Sequence, residues 1–303
     1  MSVFVKPFLK IKRRSDCHNN RRFYFLQRNK NLVKQMTYFR AMDMNLKGKN
    51  ALVCGSSQGI GLASAQALAA LGANIILMAR NREKLAEAVK TLPTSGSQSH
   101  GFLVADFGNT EEVKSAVRTF LEGEESIHIL VNNTGGPAGG PITEAQGDAF
   151  VEAFQNHLVN NQNLAQLVFP GMKAAGFGRI INIISTSVKI PLAGLGVSNT
   201  VRGAVGNWSK TWANEVGQFN ITVNNVLPGA TETERLVSII ANKAAKTGKS
   251  EKEIAAEMAG EVPMKRFAKP EEVANAVAFL ASSAASYING INIPVDGGRT
   301  GNL

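Results

Sequence analysis

The stretch Asn45–Arg80, which reads NLKGKNALVCGSSQGIGLASAQALAALGANIILMAR, decides the fold of this chain. An apolar run ends at Cys54, a helix-like run begins at Ile60, and glycines stand at positions 55, 59 and 61. Glycine lets the backbone turn tightly and approach a phosphate, which then lies at the amino terminus of the helix. The order of strand, loop and helix therefore predicts a nucleotide-phosphate site. The residues predicted to form it are Gly55, Ser57, Gln58, Gly59, Ile60 and Gly61.

The residues after the second predicted strand bear on the choice of cofactor. Arg80 and Asn81 stand where an acidic residue would bind the ribose 2′-hydroxyl of NAD(H), whereas an arginine accommodates the 2′-phosphate of NADP(H). We therefore expect NADP(H) to be preferred over NAD(H), with Arg80 and Asn81 among its contacts. The alternative for Arg80 is a solvated loop charge.

Strand-like and helix-like runs alternate along the remainder of the chain. The predicted strands are 51–54, 74–79, 101–105, 127–131, 179–184, 222–226 and 291–294. The predicted helices are 60–71, 81–90, 110–121, 144–174, 197–217 and 270–282. This alternation predicts an α/β fold in which one seven-stranded parallel sheet, doubly wound, carries helices on both faces of a single domain.

A helix-rich insertion at 231–262 precedes the last helix and strand. Ligands of such folds bind outside the carboxyl ends of the strands, so this insertion is a candidate substrate lid. We expect its apolar residues to be available to cover a hydrophobic acyl chain or a sugar-sized ring. They are Leu236, Ile239, Ile240, Ile254 and Met258.

The net charge of +10 is confined to the amino-terminal segment. Residues 1–40 contain 11 Lys and Arg residues and one acid, Asp16, whereas the remaining 263 residues contain 22 basic and 22 acidic residues. A neutral body argues against a nucleic-acid partner. No apolar run reaches 18 residues, so no membrane partner is expected. Only two cysteines, Cys17 and Cys54, are present, which indicates a reducing compartment, and we predict a cytoplasmic protein with no metal site.

The basic segment 1–43 is predicted to be an extension outside the folded domain, which spans 44–303. It has three interpretations: an organelle transit peptide, a basic arm for anionic surfaces, or sequence upstream of the true start codon. In the last case Met36, Met42 or Met44 would be the first residue. These alternatives stay open.

Several separate motifs resemble the short-chain dehydrogenase/reductase family in its single-domain branch. The matching segments are CGSSQGIG at 54–61, Asp106 in VADF, NNTG at 132–135, GRIINIIS at 178–185, Pro228-Gly229 with Thr231 and Thr233, and YINGINIPVDGG at 287–298. The resemblance covers about residues 46–299 and is closest to the 3-oxoacyl-[acyl-carrier-protein] reductase-like members. It implies a Rossmann-like fold and a small carbonyl or alcohol substrate, free or bound to a carrier protein or coenzyme A.

The resemblance also assigns the remaining cofactor contacts and the assembly. It implies that Asp106 lies beside the adenine and that Arg202 binds ribose hydroxyls. The other implied contacts are Asn133, Gly135, Pro228, Gly229 and Thr231. Relatives in this family are commonly tetramers, so a homo-tetramer or dimer that pairs through helices that include 144–174 and 197–217 is implied.

The catalytic positions depart from the family pattern of Asn, Ser, Tyr and Lys. Placing the motifs without gaps puts His157, Ser185, Ser198 and Arg202 at these four positions, so that only Ser185 is standard. The chain has tyrosines only at positions 24, 38 and 287, and none is in register. A serine hydroxyl is a far weaker acid than a phenol, so Ser198 cannot take over the proton transfer unaided.

Three residues are candidates for a replacement proton relay. His157 is favoured because the unperturbed pKa of histidine is near 6.5, although its position in an apolar helical stripe also fits a buried packing residue. Arg202 keeps a fixed positive charge and is a poor proton donor. Lys189 is a further candidate. Two functions follow: an NADP(H)-dependent carbonyl reductase or alcohol dehydrogenase with a rebuilt relay, or a non-catalytic nucleotide-binding module that acts as a sensor or partner subunit.

Overall fold

The described part of the chain is an α/β fold built on one parallel sheet. The computed structural model describes residues 42–123 and 126–301. All seven strands pair in parallel, in the order β3-β2-β1-β4-β5-β6-β7. The strands are β1 Asn50–Cys54, β2 Asn74–Ala79, β3 His100–Val104, β4 Ile129–Asn132, β5 Gly178–Ile183, β6 Ile221–Pro228 and β7 Asn292–Val295. The predicted doubly wound sheet is confirmed, and each strand boundary lies within two residues of its prediction.

Helices connect the strands and cover both faces of the sheet. They are α1 Gly59–Ala70, α2 Arg82–Lys90, α3 Thr110–Leu121, α4 Gly147–Phe154, α5 Asn160–Ala175, α6 Gly196–Val216, α7 Glu234–Thr247, α8 Glu251–Gly260 and α9 Pro270–Ala281. Among the described residues, none of these helices is both long and apolar enough to cross a bilayer. The predictions made for residues 1–41 lie outside the described part of the chain.

The single helix predicted for 144–174 is wrong in one respect. The segment begins as α4 at Gly147, passes through a π-helical turn at Gln155–Val159, and continues as α5. A π turn adds one residue to a helical turn, and the apolar periodicity of the sequence does not reveal it. Such turns are frequent at functional sites, and this one carries His157.

Two apolar cores sandwich the sheet, because successive strand residues point to opposite faces. In β1, Ala51 and Val53 belong to one core, which is completed by α1, α2 and α9. Leu52 and Cys54 belong to the other core, which is completed by α3, α5 and α6. All four of these residues are fully buried, as a strand covered on both faces requires.

A ladder of asparagine side chains crosses four neighbouring strands inside the sheet. Asn132, Asn182, Asn225 and Asn292 are cross-strand partners. Asn132 Nδ2 donates to Asn182 Oδ1 at 2.8 Å, and Asn182 Nδ2 donates to Asn225 Oδ1 at 2.9 Å. Asn225 Nδ2 continues the series to Asn292 Oδ1 at 2.8 Å. Because buried amides are costly without partners, this ladder fixes the strand register near the carboxyl edge.

The insertion at 231–262 folds into α7 and α8, which pack on each other. Leu236, Ile240 and Ile254 are buried together with Ala244, and Met258 packs against the same cluster. Most of the apolar residues that we expected to cover a substrate therefore serve the core of the insertion itself. Because these side chains are buried against one another, the structure gives no support to the expectation that they cover an acyl chain.

Candidate active site

The predicted cofactor loop lies where the strand order reverses, between β1 and β4. In doubly wound sheets this crevice at the carboxyl ends of the strands is the usual ligand site. Asn133, just after β4, donates from Nδ2 to the carbonyls of Cys54 and Gly55 at 3.3 and 3.1 Å. Asn133 thus connects the end of β4 to the glycine loop that follows β1.

The glycines of the loop stand where no side chain fits. A Cβ on Gly55, which has φ +56°, would lie 2.4 Å from the carbonyl oxygen of Asn133. A Cβ on Gly61 would lie 2.2 Å from the carbonyl oxygen of Gly55. Gly59 also has a positive φ, +59°, and Thr233 packs over it. The loop is therefore a bare backbone cradle of the kind that a dinucleotide pyrophosphate requires.

The amino terminus of α1 completes this cradle. Gln58 is the N-cap residue, its side chain makes no capping hydrogen bond, and the first turn of α1 contains no acidic residue. The first N–H groups of a helix lack internal partners and attract anions. Ser57 and Ile60 stand in the same turn and are partly buried. These features fit the pyrophosphate of NADP(H) held by residues 55–61.

Gln58 also connects the loop to the insertion. Its Nε2 atom donates to Glu234 Oε2 at 2.6 Å, and its Oε1 atom accepts from Lys84 Nζ at 3.0 Å. Glu234 is the first residue of α7, so this contact joins the start of the insertion to the glycine loop. Sequence reasoning did not single out Glu234.

The residues predicted for the adenosine end lie after β2 and β3. Arg80 is exposed at the end of β2. The Oδ1 atom of Asn81 caps α2 by accepting from Lys84 N at 2.7 Å, and Asp106 Oδ1 accepts from Gly108 N at 2.9 Å. Asn81 and Asp106 thus shape the turns that surround this end of the crevice, while the Arg80 guanidinium is available for a phosphate.

The residues predicted for the nicotinamide end lie after β4 and β6. Pro228 ends β6. A Cβ on Gly229 would lie 2.8 Å from Cα of Asp296, so this turn packs tightly against the residue that follows β7. Thr231 is buried and donates from Oγ1 to the Gly229 carbonyl at 3.1 Å. Gly135 follows Asn133 at the same edge, with open space beside its Cα.

Ser185 stands two residues after the end of β5, at the same edge of the sheet. Its Oγ atom accepts a hydrogen bond from Ser187 N at 3.1 Å and so caps a short 3₁₀ turn at Thr186–Val188. This bond uses a lone pair of the hydroxyl and leaves its proton free to donate. Ser198 lies in the first turn of α6 and is partly buried. Lys189 follows the 3₁₀ turn and is half-buried.

Arg202 is buried beside the end of β5. It is 8 % exposed, and its Nη1 atom donates to the carbonyl of Ile183 at 3.0 Å, two residues before Ser185. Burial, together with the charge of Arg235, lowers the pKa of Arg202 to about 10. The guanidinium therefore remains positively charged at neutral pH, as expected for arginine.

The structure corrects the reason for choosing His157 as a proton donor. His157 is 2 % exposed, and burial together with the charge of Arg202 lowers its pKa to about 3. The unperturbed value near 6.5 does not hold in the folded chain, so the ring is neutral near pH 7. A hydrogen bond of 2.6 Å joins His157 Nδ1 to Oγ1 of Thr134, which sequence reasoning missed as a site residue. The only sequence feature that could have marked Thr134 as a site residue is that a threonine stands where the family has an alanine.

Comparison with known proteins identifies the class to which this fold and site belong. A family model described as enoyl-(acyl carrier protein) reductase matches residues 55–300. The chain therefore belongs to the short-chain dehydrogenase/reductase family and is an oxidoreductase of that family.

Three relatives illustrate the range of this similarity. The 3-oxoacyl-[acyl-carrier-protein] reductase of Pseudomonas aeruginosa is 32% identical over 84% of this chain and 98% of its own length. L-sorbose reductase of Gluconobacter frateurii, solved with NADPH and L-sorbose, is 35% identical with a TM-score of 0.81 over 86% of this chain and 100% of that chain. Gluconate 5-dehydrogenase of Burkholderia cenocepacia, solved with NADP and tartrate, is 30% identical with a TM-score of 0.77. The match covers 87% of this chain and 100% of that chain.

These relatives bear on the two functional hypotheses. All three are named for oxidation or reduction at a carbonyl or alcohol group, and two were solved with NADPH or NADP. They give no support to the alternative of an inactive nucleotide-binding module.

Proposed function

We propose that this protein is an NADP(H)-dependent oxidoreductase that reduces a ketone to a secondary alcohol, or catalyses the reverse reaction. The observation that carries this proposal is the position of Ser185, with its hydroxyl proton free, two residues from the carbonyl that holds the buried charge of Arg202. The bare glycine loop and the exposed Arg80 support NADP(H) as the cofactor. When bound, NADPH supplies the hydride that reaches the carbonyl carbon.

Ser185 and Arg202 would stabilise the charge that develops on the substrate oxygen. The Ser185 hydroxyl donates a hydrogen bond to this oxygen, and the Arg202 guanidinium supplies a fixed positive charge in a buried setting. Donors that are already oriented need no rearrangement during the reaction, and low exposure strengthens their effect.

The proton that completes the alcohol would pass through Ser185. The carbonyl π bond would break as the cofactor hydride forms the C–H bond at carbon. The Ser185 hydroxyl would pass its proton to the oxygen while taking one from a water molecule, and bulk solvent would return a proton to that water. Ser185 would thus relay a proton from solvent and would not act as the acid itself, because an alkyl hydroxyl is far weaker than a phenol. The lack of a phenolic acid is expected to lower turnover by about 10²–10⁴-fold relative to a complete relay.

His157 acts in this proposal as a positioning residue. Its ring is neutral near pH 7 and bonded to Thr134, so it fixes the backbone after β4 against the π turn. Ser198 lines the opening of the site beside Arg202, from which it is separated by one helical turn.

The relatives and the insertion bear on the substrate class. The three relatives act on an acyl thioester, a neutral ketose and a sugar acid, to judge by their names. The burial of Leu236, Ile240 and Ile254 within the insertion argues against a long acyl chain lying on these residues. We therefore retain the predicted 3-oxoacyl thioester as a candidate and add the polyhydroxy ketones.

The test is consumption of NADPH by the purified full chain. The panel comprises acetoacetyl-coenzyme A, L-sorbose and 5-keto-D-gluconate, each assayed also with NADH, and the control variant is Arg202→Ala. Steady oxidation that requires a ketone, prefers NADPH and is lost in Arg202→Ala would support the proposal. NADPH binding without oxidation by any member of a wider carbonyl panel would contradict it.

We also propose a homo-tetramer or dimer in the cytoplasm. Val151 on α4 and Val159 in the π turn are 65% and 42% exposed, on helices that the family resemblance assigns to subunit pairing. Sedimentation velocity tests this assignment: a dimer or tetramer that dissociates in Val151→Asp supports it, and a monomeric wild-type chain contradicts it. The cytoplasmic location remains a prediction.

A further inference from the structure

Two arginine side chains converge on one point of the candidate active site. A Cβ on Gly136 would lie 3.6 Å from Nη2 of Arg235 and 3.9 Å from Nη2 of Arg202. The two guanidiniums thus lie within roughly 8 Å of each other, about one Debye length at physiological ionic strength. The Arg202 side chain is buried, whereas the Arg235 side chain is exposed to solvent.

Neither arginine has an acidic partner among the described residues. Arg202 donates to the carbonyl of Ile183 at 3.0 Å, and Arg235 donates from Nη2 to the carbonyl of Pro137 at 2.6 Å. The ion pairs in the described part of the chain involve neither arginine. Two like charges held together without an acid create a site at which an anion is favoured.

Two neighbouring residues in the first turn of α7 contact different sides of the crevice. Glu234 reaches towards the loop and accepts from Gln58, whereas Arg235 reaches towards Pro137, after β4. Arg202 approaches from α6 to the end of β5, the strand that presents Ser185. The arginine pair is therefore hydrogen-bonded to the segments that follow β4 and end β5, whereas Glu234 is hydrogen-bonded to the glycine loop.

We propose that Arg202 and Arg235 together bind a carboxylate of the substrate, so that the protein reduces an oxo acid to a hydroxy acid. This inference rests on the proposed function, of which it names the substrate class. Guanidinium groups present donors in a planar fork that matches a carboxylate, and charge-assisted bonds are the stronger ones. In the balanced reaction, one oxo acid, one NADPH and one proton give one hydroxy acid and one NADP⁺.

The test compares oxo acids with esters that differ only in charge. Acetoacetate, levulinate and 5-oxohexanoate vary the distance from ketone to carboxylate, and their methyl esters keep the ketone and remove the charge. The readout is the ratio of kcat/KM for acid and ester with NADPH. We expect at least one acid to be favoured by about 10–100-fold, the effect of a charge-assisted hydrogen bond.

Arg235→Gln tests the residue, and Lys246→Gln is its matched control. Both variants remove one positive charge from α7, but Lys246 is exposed in the last turn of the helix, away from Gly136. We expect Arg235→Gln to lower the acid-to-ester ratio about 10-fold, Arg235→Lys to retain part of it, and Lys246→Gln to keep it. An equal ratio for acids and esters in the wild type would overturn the proposal.

Two further measurements distinguish a substrate carboxylate site from a cofactor contact and from a failed reductase. If Arg235→Gln weakens NADPH binding, measured by fluorescence, and leaves the ratio unchanged, the arginine pair serves the cofactor diphosphate and the proposal is overturned. If no ketone supports NADPH oxidation, the proposed function fails, and calorimetry on the NADP⁺-loaded chain still decides the inference. Binding of levulinate, but not methyl levulinate, that is lost in Arg235→Gln supports the carboxylate site, and absence of such binding overturns it.

Discussion

The Oγ1 atom of Thr134 lies 2.6 Å from Nδ1 of His157 and joins the loop after β4 to the π turn between α4 and α5. Both residues stand at positions where the chain departs from the pattern that its sequence resembles, threonine for alanine and histidine for asparagine. The two departures thus contact each other directly. Each of the two departures thus supplies the other with a polar partner.

Removing the hydroxyl of Thr134 should weaken both stability and turnover. Thr134→Val keeps the shape of the side chain but leaves the buried ring of His157 without its partner, which costs about 1–3 kcal/mol. We expect a lower midpoint in urea unfolding and a lower kcat. Thr134→Ser, which retains the hydroxyl, is the control. Equal stability of the valine variant and the wild type would show that the bond contributes nothing.

His157 should make the fold sensitive to acid. Its pKa is about 3 in the folded chain and near 6.5 when the ring is solvated, so between these values the unfolded state binds a proton that the folded state does not. The free energy of unfolding should therefore fall as pH drops from about 6.5 towards 3, by up to about 1.4 kcal/mol per pH unit. In His157→Gln this part of the slope should disappear. A stability difference between variant and wild type that does not change with pH would contradict the assignment.

A methyl group in the glycine loop should abolish cofactor binding. In Gly61→Ala the new Cβ would lie 2.2 Å from the Gly55 carbonyl oxygen, so the loop must move away from its position beside Asn133. Gly101→Ala on β3 is the control, because nothing lies within 4 Å of its added Cβ. Fluorescence titration with NADPH should show no binding to the first variant and unchanged binding to the second. Normal binding by Gly61→Ala would mean that the loop is not the phosphate site.

Breaking the asparagine ladder at its centre should destabilise the sheet. Asn182→Ala leaves Asn132 Nδ2 and Asn225 Oδ1 unpaired inside the protein, and each buried unsatisfied group costs about 1–3 kcal/mol. Asn207→Ala, an exposed site on α6, is the control. Differential scanning calorimetry should give a clearly lower Tm for the first variant alone. Equal Tm values would show that water or neighbouring groups satisfy these amides.

The sequence predicted the sheet and the glycine loop because both depend on contiguous residues. Strand, loop and helix follow one another between Asn45 and Arg80, and the alternation of runs fixes parallel pairing without knowledge of contacts. The asparagine ladder depends on the register between strands, which no single strand encodes. Asn182 alone appears only as a polar interruption in an apolar run.

The rest of the site depends on side chains that meet across the fold. The bond between Thr134 and His157 requires the π turn, and the pKa of His157 depends on burial that a helical stripe does not specify. Arg235 belongs to the insertion and reaches Pro137, 98 residues earlier in the chain. Neither a motif nor a spacing connects these two positions, so the arginine pair is visible only in the structure.

The most direct test of the central claim is transfer of deuterium to a ketone. The purified full chain is incubated with NADPH that carries deuterium at both hydrogen positions of nicotinamide C4 and with acetoacetate, levulinate, L-sorbose or 5-keto-D-gluconate, and the products are analysed by mass spectrometry. The account predicts an alcohol that carries one deuterium at the former carbonyl carbon, and a loss of this product in Ser185→Ala. Measurable binding of NADPH with no deuterated alcohol from any of these ketones would contradict it.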